Sequence, residues 1–204
     1  MSRKTIGIVD YGVGNQSSVK HAFQALGYRC HTSSDPEVLA ASDVIILPGV
    51  GAYPAAMSAL YARDLVGFLR DSARNSKPII GLCLGMQLLA DESLEHGTTE
   101  GLGLIPGQIA PLDLARWHIG WNTIEVIKTD KLLLPSDGES VYFNHSYVFN
   151  APLEYQVCIA RLINQPFPVG VRRGNTIGLQ FHPEKSQLAG RVMMKNLVEG
   201  LTGA

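Results

Sequence analysis

Residues 78–91, PIIGLCLGMQLLAD, contain the stretch that decides the fold, an apolar run that leads into GLCLG at 81–85. The run Pro78–Leu82 has the character of a buried strand, and Met86–Asp91 begins a helical pattern. Two glycines around one cysteine permit a tight reversal from strand to helix that raises the central side chain above the sheet. This pattern predicts a nucleophile elbow with Cys83 as the nucleophile.

The predicted elbow gives Cys83 two chemical properties. It sets the thiol at the carboxyl-terminal edge of a sheet, where sites form in open α/β folds. It also places the sulfur near the first turn of a helix, whose dipole favours a thiolate. The competing interpretation is a small buried side chain packed under a helix, which is the ordinary state of a lone cysteine.

Upstream of this stretch, short β-rich segments alternate with helical patterns. We predict strands at Thr5–Val9, Arg29–Thr32 and Asp43–Leu47. Helical periodicity runs from Val19 to Leu26 and again from Tyr53 to Tyr61. This alternation is typical of a mostly parallel sheet with helices on both faces.

Downstream, the pattern changes to strands joined by short turns, which predicts an antiparallel portion of the sheet. These strands are Trp121–Ile127, Ser140–Phe149, Tyr155–Leu162 and Pro168–Arg172. Thr176–Phe181 reads as a last strand, and a helix closes the chain. We therefore predict an α/β fold in which residues 1–204 form one domain with a mixed, mostly parallel central sheet.

Composition excludes several classes of protein. The formal net charge is −1, from 17 Lys and Arg against 18 Asp and Glu, which argues against nucleic acid or an anionic membrane as partner. The three cysteines are widely spaced and form no CxxC pair, so neither a disulfide framework nor a zinc site is expected. The start MSRK leads directly into a strand, and no apolar run approaches the ~18 residues that span a bilayer. We therefore expect a cytoplasmic protein.

A thiol nucleophile needs a base, and the segment FHPE at 181–184 supplies one directly after the last predicted strand. Pro183 favours an extended conformation for His182. Side chains two apart in an extended segment point the same way, so Glu184 is expected to orient the imidazole. A surface turn or a metal site would use the same residues, but no companion ligands accompany them, and we predict no metal.

Acyl transfer also needs donors for the oxyanion. The backbone N–H of Leu84, directly after the nucleophile, is one expected donor. The turn PGVG at 48–51 follows another predicted strand, and its glycines allow backbone amides to face a ligand. Such turns are common, so this segment is informative only in combination with the elbow.

Four segments carry a family resemblance: LPGVGAY at 47–53, GLCLGMQLL at 81–89, YFNHSY at 142–147 and GLQFHPEKS at 178–186. With them the chain resembles the class I, or triad-type, glutamine amidotransferases along nearly its whole length. DYGVGN at 10–15 and HIGWN at 118–122 are similar to the glutaminase subunits of imidazole glycerol phosphate synthase in particular.

The resemblance implies a glutaminase that uses no cofactor. Cys83 would attack the side-chain carbonyl of L-glutamine and release ammonia, and water would hydrolyse the γ-glutamyl thioester to glutamate. His182 would transfer protons and Glu184 would polarise it. The backbone amides of Val50 and Leu84 would form the oxyanion hole.

The resemblance also implies which residues bind substrate and which face a partner. Substrate-binding positions are Gly49, Gly51, Gln87, Glu95, His145, Ser146 and Tyr147. Positions at or near a partner interface are Asn15, Trp121, Asn122, Tyr142 and Lys185. The ammonia would pass to a separate cyclase subunit, a (β/α)8 barrel of the HisF type, within a heterodimer of histidine biosynthesis.

Some features depart from the family pattern. Trp117 stands where the family usually has a proline before the mid-chain histidine. The stretch at 107–116 is shorter and less basic than in the family pattern, and Gln16 and Asn144 replace residues that are usually apolar. We expect none of them to touch the triad. They leave open a glutaminase that supplies a different synthase, such as a sugar-modifying amidotransferase. A non-catalytic module with the same fold is the third alternative, although such modules typically lose the nucleophile or the histidine.

Overall fold

Strands form the centre of the structure, a computed structural model that describes residues 3–127 and 130–203. Met1 and Ser2, the first residues of the MSRK start discussed above, lie outside the described residues, as does Ala204. The strands are β1 Thr5–Val9, β2 Arg29–Ser33, β3 Val44–Gly49, β4 Ile79–Cys83, β5 Glu92–Ser93, β6 Thr99–Glu100, β7 Gln108–Pro111, β8 His118–Thr123, β9 Glu125–Val126, β10 Ser140–His145, β11 Tyr147–Asn150, β12 Gln156–Leu162, β13 Gln165–Arg173 and β14 Thr176–Leu179. The helices are α1 Gln16–Ala25, α2 Pro36–Ala40, α3 Tyr53–Tyr61, α4 Leu65–Arg74, α5 Leu84–Gln87 and α6 Gln187–Leu201, with 3₁₀ helices at Leu134–Ser136 and Pro183–Lys185.

Eight strands form the main sheet, in the order β2-β1-β3-β4-β14-β13-β12-β9. The first five are parallel to one another, and the pairs from β14 to β9 are antiparallel. The predicted mixed, mostly parallel sheet is therefore confirmed. Because parallel strands end at the same edge, the segments that follow β1, β3, β4 and β14 all meet there.

The sheet is buried on both faces, as its apolar strands require. In β3, Val44 and Ile46 pack in one cluster with α1 and α6, whereas Ile45 and Leu47 pack in another with α3 and α4. This alternation follows from the two-residue repeat of a strand. The longest helix, α6, has 15 residues, and no helix of the described ranges is long and apolar enough to cross a bilayer.

Two smaller sheets complete the fold. β10 pairs with β8, and β11-β7-β5-β6 form a four-stranded sheet. β10 lies against the carboxyl edge of the main sheet, because the His182 N–H group donates a hydrogen bond to the Tyr142 carbonyl at 2.9 Å. The β8–β10 pair therefore lies beside the segment that carries the predicted base.

The predicted helix at Met86–Asp91 is wrong, since α5 ends at Gln87. The carbonyl groups of residues 88–90 accept hydrogen bonds from the amides of residues 102–105 instead of from a helical turn. Ser140–Phe149 is likewise two strands in different sheets, which separate at Ser146. The predicted strand Trp121–Ile127 is interrupted at Ile124, and α2 and α4 were not predicted.

Candidate active site

Cys83 ends β4 in a backbone conformation that non-glycine residues rarely adopt. Its φ of 54° and ψ of −111° match the first central position of a type II′ turn, which glycine usually occupies. The reversal requires Gly85, because a Cβ atom there would overlap the carbonyl oxygen of Leu47. Backbone strain of this kind concentrates at functional sites. The elbow predicted for the GLCLG segment is thus present.

His182 and Glu184 are in direct contact behind the elbow. Nδ1 of the imidazole lies 2.8 Å from Oε1 of the carboxylate, and the two side chains are only 4% and 1% exposed. His182 itself has φ −105° and ψ 89°, but the predicted extended segment does not continue to Glu184, because Pro183–Lys185 form a 3₁₀ turn. The turn still directs the Glu184 carboxylate to the ring. In the described part of the chain, no group of three or more His, Cys, Asp or Glu residues is arranged to hold a metal ion.

The protonation of His182 is set by its two partners. Burial by itself lowers the pKa of this imidazole, but hydrogen bonds with the Cys83 and Glu184 side chains outweigh burial and raise the pKa to about 9. A four-residue α5 carries only a short dipole, so the imidazolium is the stronger source of positive charge near the sulfur. The site therefore favours the cation that a thiolate needs beside it.

Gln180 holds the sulfur from another side, and the sequence patterns did not single it out. Its Nε2 atom lies 3.8 Å from the Cys83 sulfur, and its Oε1 atom accepts a hydrogen bond of 3.0 Å from Gln87. The side chain is fully buried. The available signal was a polar residue directly after the apolar strand TIGL, where burial requires a hydrogen-bond partner.

One pocket of about 190 Å³ gathers most of the residues that the resemblance implies. Its lining is Val50, Gly51, Cys83, Leu84, Gln87, Glu95, Asn144, His145, Ser146, Tyr147, His182 and Lys185. The expectation that Asn144 does not touch the triad is wrong, because its carbonyl oxygen lies 3.8 Å from the Cys83 sulfur. Gly49 lies behind the pocket and pairs with Cys83 across β3 and β4. A larger groove of about 730 Å³ lies between α1 and α6, but it lacks the thiol. We therefore assign the site to the smaller pocket.

Glu95 lies two residues after β5 of the four-stranded sheet and lines this pocket. Its Oε2 atom accepts a hydrogen bond of 2.8 Å from the N–H group of Tyr53, the first residue of α3. A carboxylate is favoured at this end of a helix. The residue is buried and lines the pocket, with Oε2 fixed by Tyr53 and Oε1 4.0 Å from Nε2 of the exposed His96.

Three of the residues expected at a partner interface form one cluster on the β8–β10 pair. The Trp121 and Tyr142 rings are in edge contact at 6.1 Å, and Nζ of Lys185 lies 5.8 Å from the Tyr142 ring centroid. Asn15 directly precedes α1, which begins at the same edge of the sheet. Asn122 differs from the others, because its side chain turns inward to His118 and to the Arg161 carbonyl.

Ser186 is a second residue that the sequence patterns did not single out. Its hydroxyl group donates to the His182 carbonyl at 2.7 Å and accepts from the Tyr142 N–H group at 3.0 Å. Only 1% of the residue is exposed. The hydroxyl therefore fixes the backbone of the base to β10, and the signal for it was its place at the end of the HPEKS motif.

We expect Ser186→Ala to lower the free energy of unfolding by about 1–3 kcal/mol, because it leaves the partly buried Tyr142 N–H group unpaired, whereas the His182 carbonyl keeps its hydrogen bond from the Lys185 N–H group. Turnover should fall by roughly tenfold or more, since small displacements of a base are costly. Ser42→Ala is the matched control: this buried hydroxyl has no hydrogen-bond partner among the described residues. Urea titrations and ammonia assays measure both effects. An unchanged Ser186→Ala variant would contradict the role of the hydroxyl.

Comparison with known proteins agrees with this geometry. The family model for class I glutamine amidotransferases matches residues 7–199. Imidazole glycerol phosphate synthase subunit HisH of Listeria monocytogenes is 42% identical over 95% of both chains, and that of Streptococcus gordonii is 39% identical over 94% of both. The solved structure of PurLQS from Thermotoga maritima superposes with a TM-score of 0.77 at 21% identity, over 98% of this chain and 100% of that one. The chain therefore belongs to the class I glutamine amidotransferase family, within the group of its HisH subunits.

Proposed function

We propose that the chain is the glutaminase subunit of imidazole glycerol phosphate synthase and hydrolyses L-glutamine to glutamate and ammonia. The observation that carries this proposal is the convergence of Cys83, His182 and Glu184 at one edge of the sheet. The Cys83 thiolate attacks the side-chain amide carbon. His182 then protonates the departing nitrogen, so that the C–N bond breaks and a thioester remains. Water activated by His182 cleaves the thioester and restores the thiol.

The pocket supplies the remaining groups for this reaction. Leu84, the first residue of α5, and Val50, directly after β3, line the pocket together with Cys83, and their N–H groups serve as the donors to the oxyanion. The glutamine side chain lies along Gly51 and Gln87, with Gly49 behind. The Glu95 carboxylate faces the α-amino end of the amino acid, together with the residues of the 145–147 turn.

The size of the pocket favours an amino acid over a peptide. Its volume of about 190 Å³ is smaller than the roughly 300–1,000 Å³ of sites for drug-sized ligands. A cysteine peptidase needs an extended cleft on both sides of the nucleophile. Cys83 is only 6% exposed. The opening to the thiol is therefore better suited to a single amino-acid side chain than to a polypeptide.

A cyclase subunit, the (β/α)8 barrel of the same synthase, is the proposed partner in a heterodimer. Trp117, directly before β8, and Ile119 and Trp121 within it occupy alternate positions and are 57%, 61% and 51% exposed, so their side chains share one outward face. Exposed aromatic clusters of this kind mark protein interfaces. The face lies beside the pocket, because Lys185 contacts both Tyr142 and the pocket lining. Ammonia released there would have a short path into the partner.

Titration with the histidine-pathway cyclase, in the presence of its nucleotide ligand, tests the proposal. We expect a 1:1 complex and a rise in glutamine hydrolysis of about 5- to 150-fold, the usual range of coupling between sites. Trp121→Ala should weaken the complex by roughly 30-fold, as expected for a tryptophan hot spot. Leu153→Ser, at an exposed leucine before β12, is the matched control. Absence of both complex and stimulation would favour a glutaminase of another synthase.

We also propose a cytoplasmic location. The chemistry requires Cys83 as a reduced thiol, and Cys30 and Cys158 are free thiols as well. A reducing compartment maintains all three in this state.

A further inference from the structure

Two buried histidines outside the triad, His118 of β8 and His145 of β10, form a contact that the proposed mechanism does not use. Nδ1 of His118 lies 2.9 Å from Nε2 of His145. The residues are only 6% and 7% exposed. Buried polar groups are costly unless each one is paired, so the partners at the outer ends of this pair define its chemistry.

The outer partners fix the position of every proton. Nδ1 of His145 lies 2.9 Å from the Tyr147 carbonyl, which only accepts, so this nitrogen carries the hydrogen. Its Nε2 atom therefore accepts, and Nδ1 of His118 donates to it. Nε2 of His118 is left to accept from the Asn122 amide at 3.2 Å. The result is a one-directional chain from the Asn122 amide to the Tyr147 carbonyl.

Both imidazoles in the chain are uncharged. Burial lowers the pKa of His118. It also lowers the pKa of His145 to about 4; the hydrogen bond to Tyr147 opposes this effect, and repulsion from protonated forms of the neighbouring His118 and His182 adds to it. Two neutral rings fit the donor and acceptor order above, whereas a second proton on either ring would leave two donors facing each other.

Aromatic packing holds the His118 ring in place. The ring centroid lies 4.4 Å from that of Phe143 and 5.4 Å from that of Phe167. The Asn122 amide is fixed as well, because it donates to the Arg161 carbonyl at 2.9 Å and accepts from the Thr123 N–H group at 2.8 Å. The chain therefore has a rigid origin in β8.

The chain ends on the turn between β10 and β11, which lines the pocket. The Tyr147 carbonyl also lies 3.4 Å from Nε2 of Gln87, so it accepts from both Gln87 and His145, two residues of the pocket. The Ser146 carbonyl accepts from Leu112 at 2.9 Å. Hydrogen bonds thus fix the backbone of this turn on both sides of the Ser146 side chain.

We propose that His118 is a positioning residue, which acts through His145 to hold the Ser146–Tyr147 turn in the geometry that binds the α-amino and carboxylate end of glutamine. The proposal rests on the proposed glutaminase function. His118 lies outside the pocket lining, so its effect is on substrate affinity and not on the chemical step. It also connects β8, which carries the exposed aromatic face, to the substrate.

Two variants distinguish the hydrogen bonds of the two ring nitrogens of His118, because each places an amide nitrogen where one ring nitrogen stood. The asparagine amide in His118→Asn occupies the position of Nδ1 and still donates to His145. The glutamine amide in His118→Gln occupies the position of Nε2 and loses that donor. We expect His118→Gln to raise KM for glutamine by about 5- to 10-fold, as loss of one hydrogen bond predicts, with kcat within about threefold. His118→Asn should keep KM within about twofold.

Phe167→Leu is the packing control, because it alters the contact with both rings and leaves the hydrogen bonds intact. Alkylation of Cys83 by iodoacetamide, which lacks the α-amino and carboxylate groups, should proceed at the same rate in all variants. Equal KM in both His118 variants, or slower alkylation in His118→Gln, would overturn the positioning role. A wild-type protein without glutaminase activity, alone or with the cyclase, would instead refute the proposed function.

Discussion

Replacement of Cys83 by alanine is expected to abolish the release of ammonia from glutamine, with a loss of at least ~10³-fold in the presence of the cyclase. The thiolate forms the covalent intermediate, and members of such a unit cannot replace one another. The fold should persist, because Cβ remains and only a sulfur atom at the edge of the pocket is removed. Ammonia assays with the complex measure the loss, and circular dichroism checks the fold.

The other two thiols provide the controls for this prediction. Burial raises the pKa of Cys30 to about 11 and raises the pKa of the fully buried Cys158 still further. A glutamine-like chloroketone should therefore label Cys83 and leave both others unmodified, since the thiolate is the reactive form. Cys30→Ser should retain full activity. Undiminished hydrolysis by Cys83→Ala, or labelling that persists in that variant, would refute the assignment of the nucleophile.

The strained backbone of Cys83 adds a second measurement. Alanine keeps the Cβ atom at φ 54°, whereas glycine adopts such a conformation without strain. Cys83→Gly should therefore be more stable than Cys83→Ala by about 1 kcal/mol, although both are inactive. The opposite order would indicate that the elbow stores no strain.

Much of this site could be predicted because one rule of α/β folds governs it. Strands that run parallel end at one edge, so the segments after β3, β4 and β14 had to converge. The glycines around Cys83 indicated the reversal, since a side chain at position 85 would meet the backbone of β3. The meeting of the thiol with His182 therefore follows from local sequence and topology together.

Features that depend on distant hydrogen bonds could not be predicted from local patterns. α5 stops after four residues because the amides of 102–105 take the carbonyl groups that would continue it. The roles of Gln180, Ser186 and His118 likewise depend on partners between 27 and 97 positions away in the chain. Periodicity describes which face of an element is buried and contains no information about such partners.

Glu184→Gln is expected to reduce kcat/KM for glutamine by about 10²–10⁴-fold, the range over which an oriented general base contributes to catalysis. The amide can still contact Nδ1 of His182, but it carries no charge to stabilise the imidazolium. Burial of the ring remains and one of its two supporting partners is lost, so the pKa of His182 should fall below the wild-type value of about 9. The pH–rate profile of the complex reports this shift.

The free energy of unfolding should depend on pH, and the raised pKa of His182 determines the direction of that dependence. The folded-state value of about 9 lies above the ordinary 6.5 of histidine, so the imidazolium stabilises the folded state fully below about pH 6.5. That contribution is lost as pH rises towards 9. The wild type should therefore lose stability across this interval, and Glu184→Gln should lose less. Comparing the two proteins cancels the titration of the other groups.

Above pH 9 the order of stability should reverse, so that Glu184→Gln is the more stable protein and the less active one. Oε2 of Glu184 is buried and has no hydrogen-bond partner among the described residues, which makes the carboxylate costly once His182 is neutral. Glu199→Gln, at a solvent-exposed ion pair of α6 with Lys195, should change neither activity nor the pH dependence. Parallel stability curves for wild type and Glu184→Gln from pH 6 to 10 would show that the carboxylate does not hold the proton on His182. Glu184 would then serve packing, and the charge that activates the thiol would have another origin.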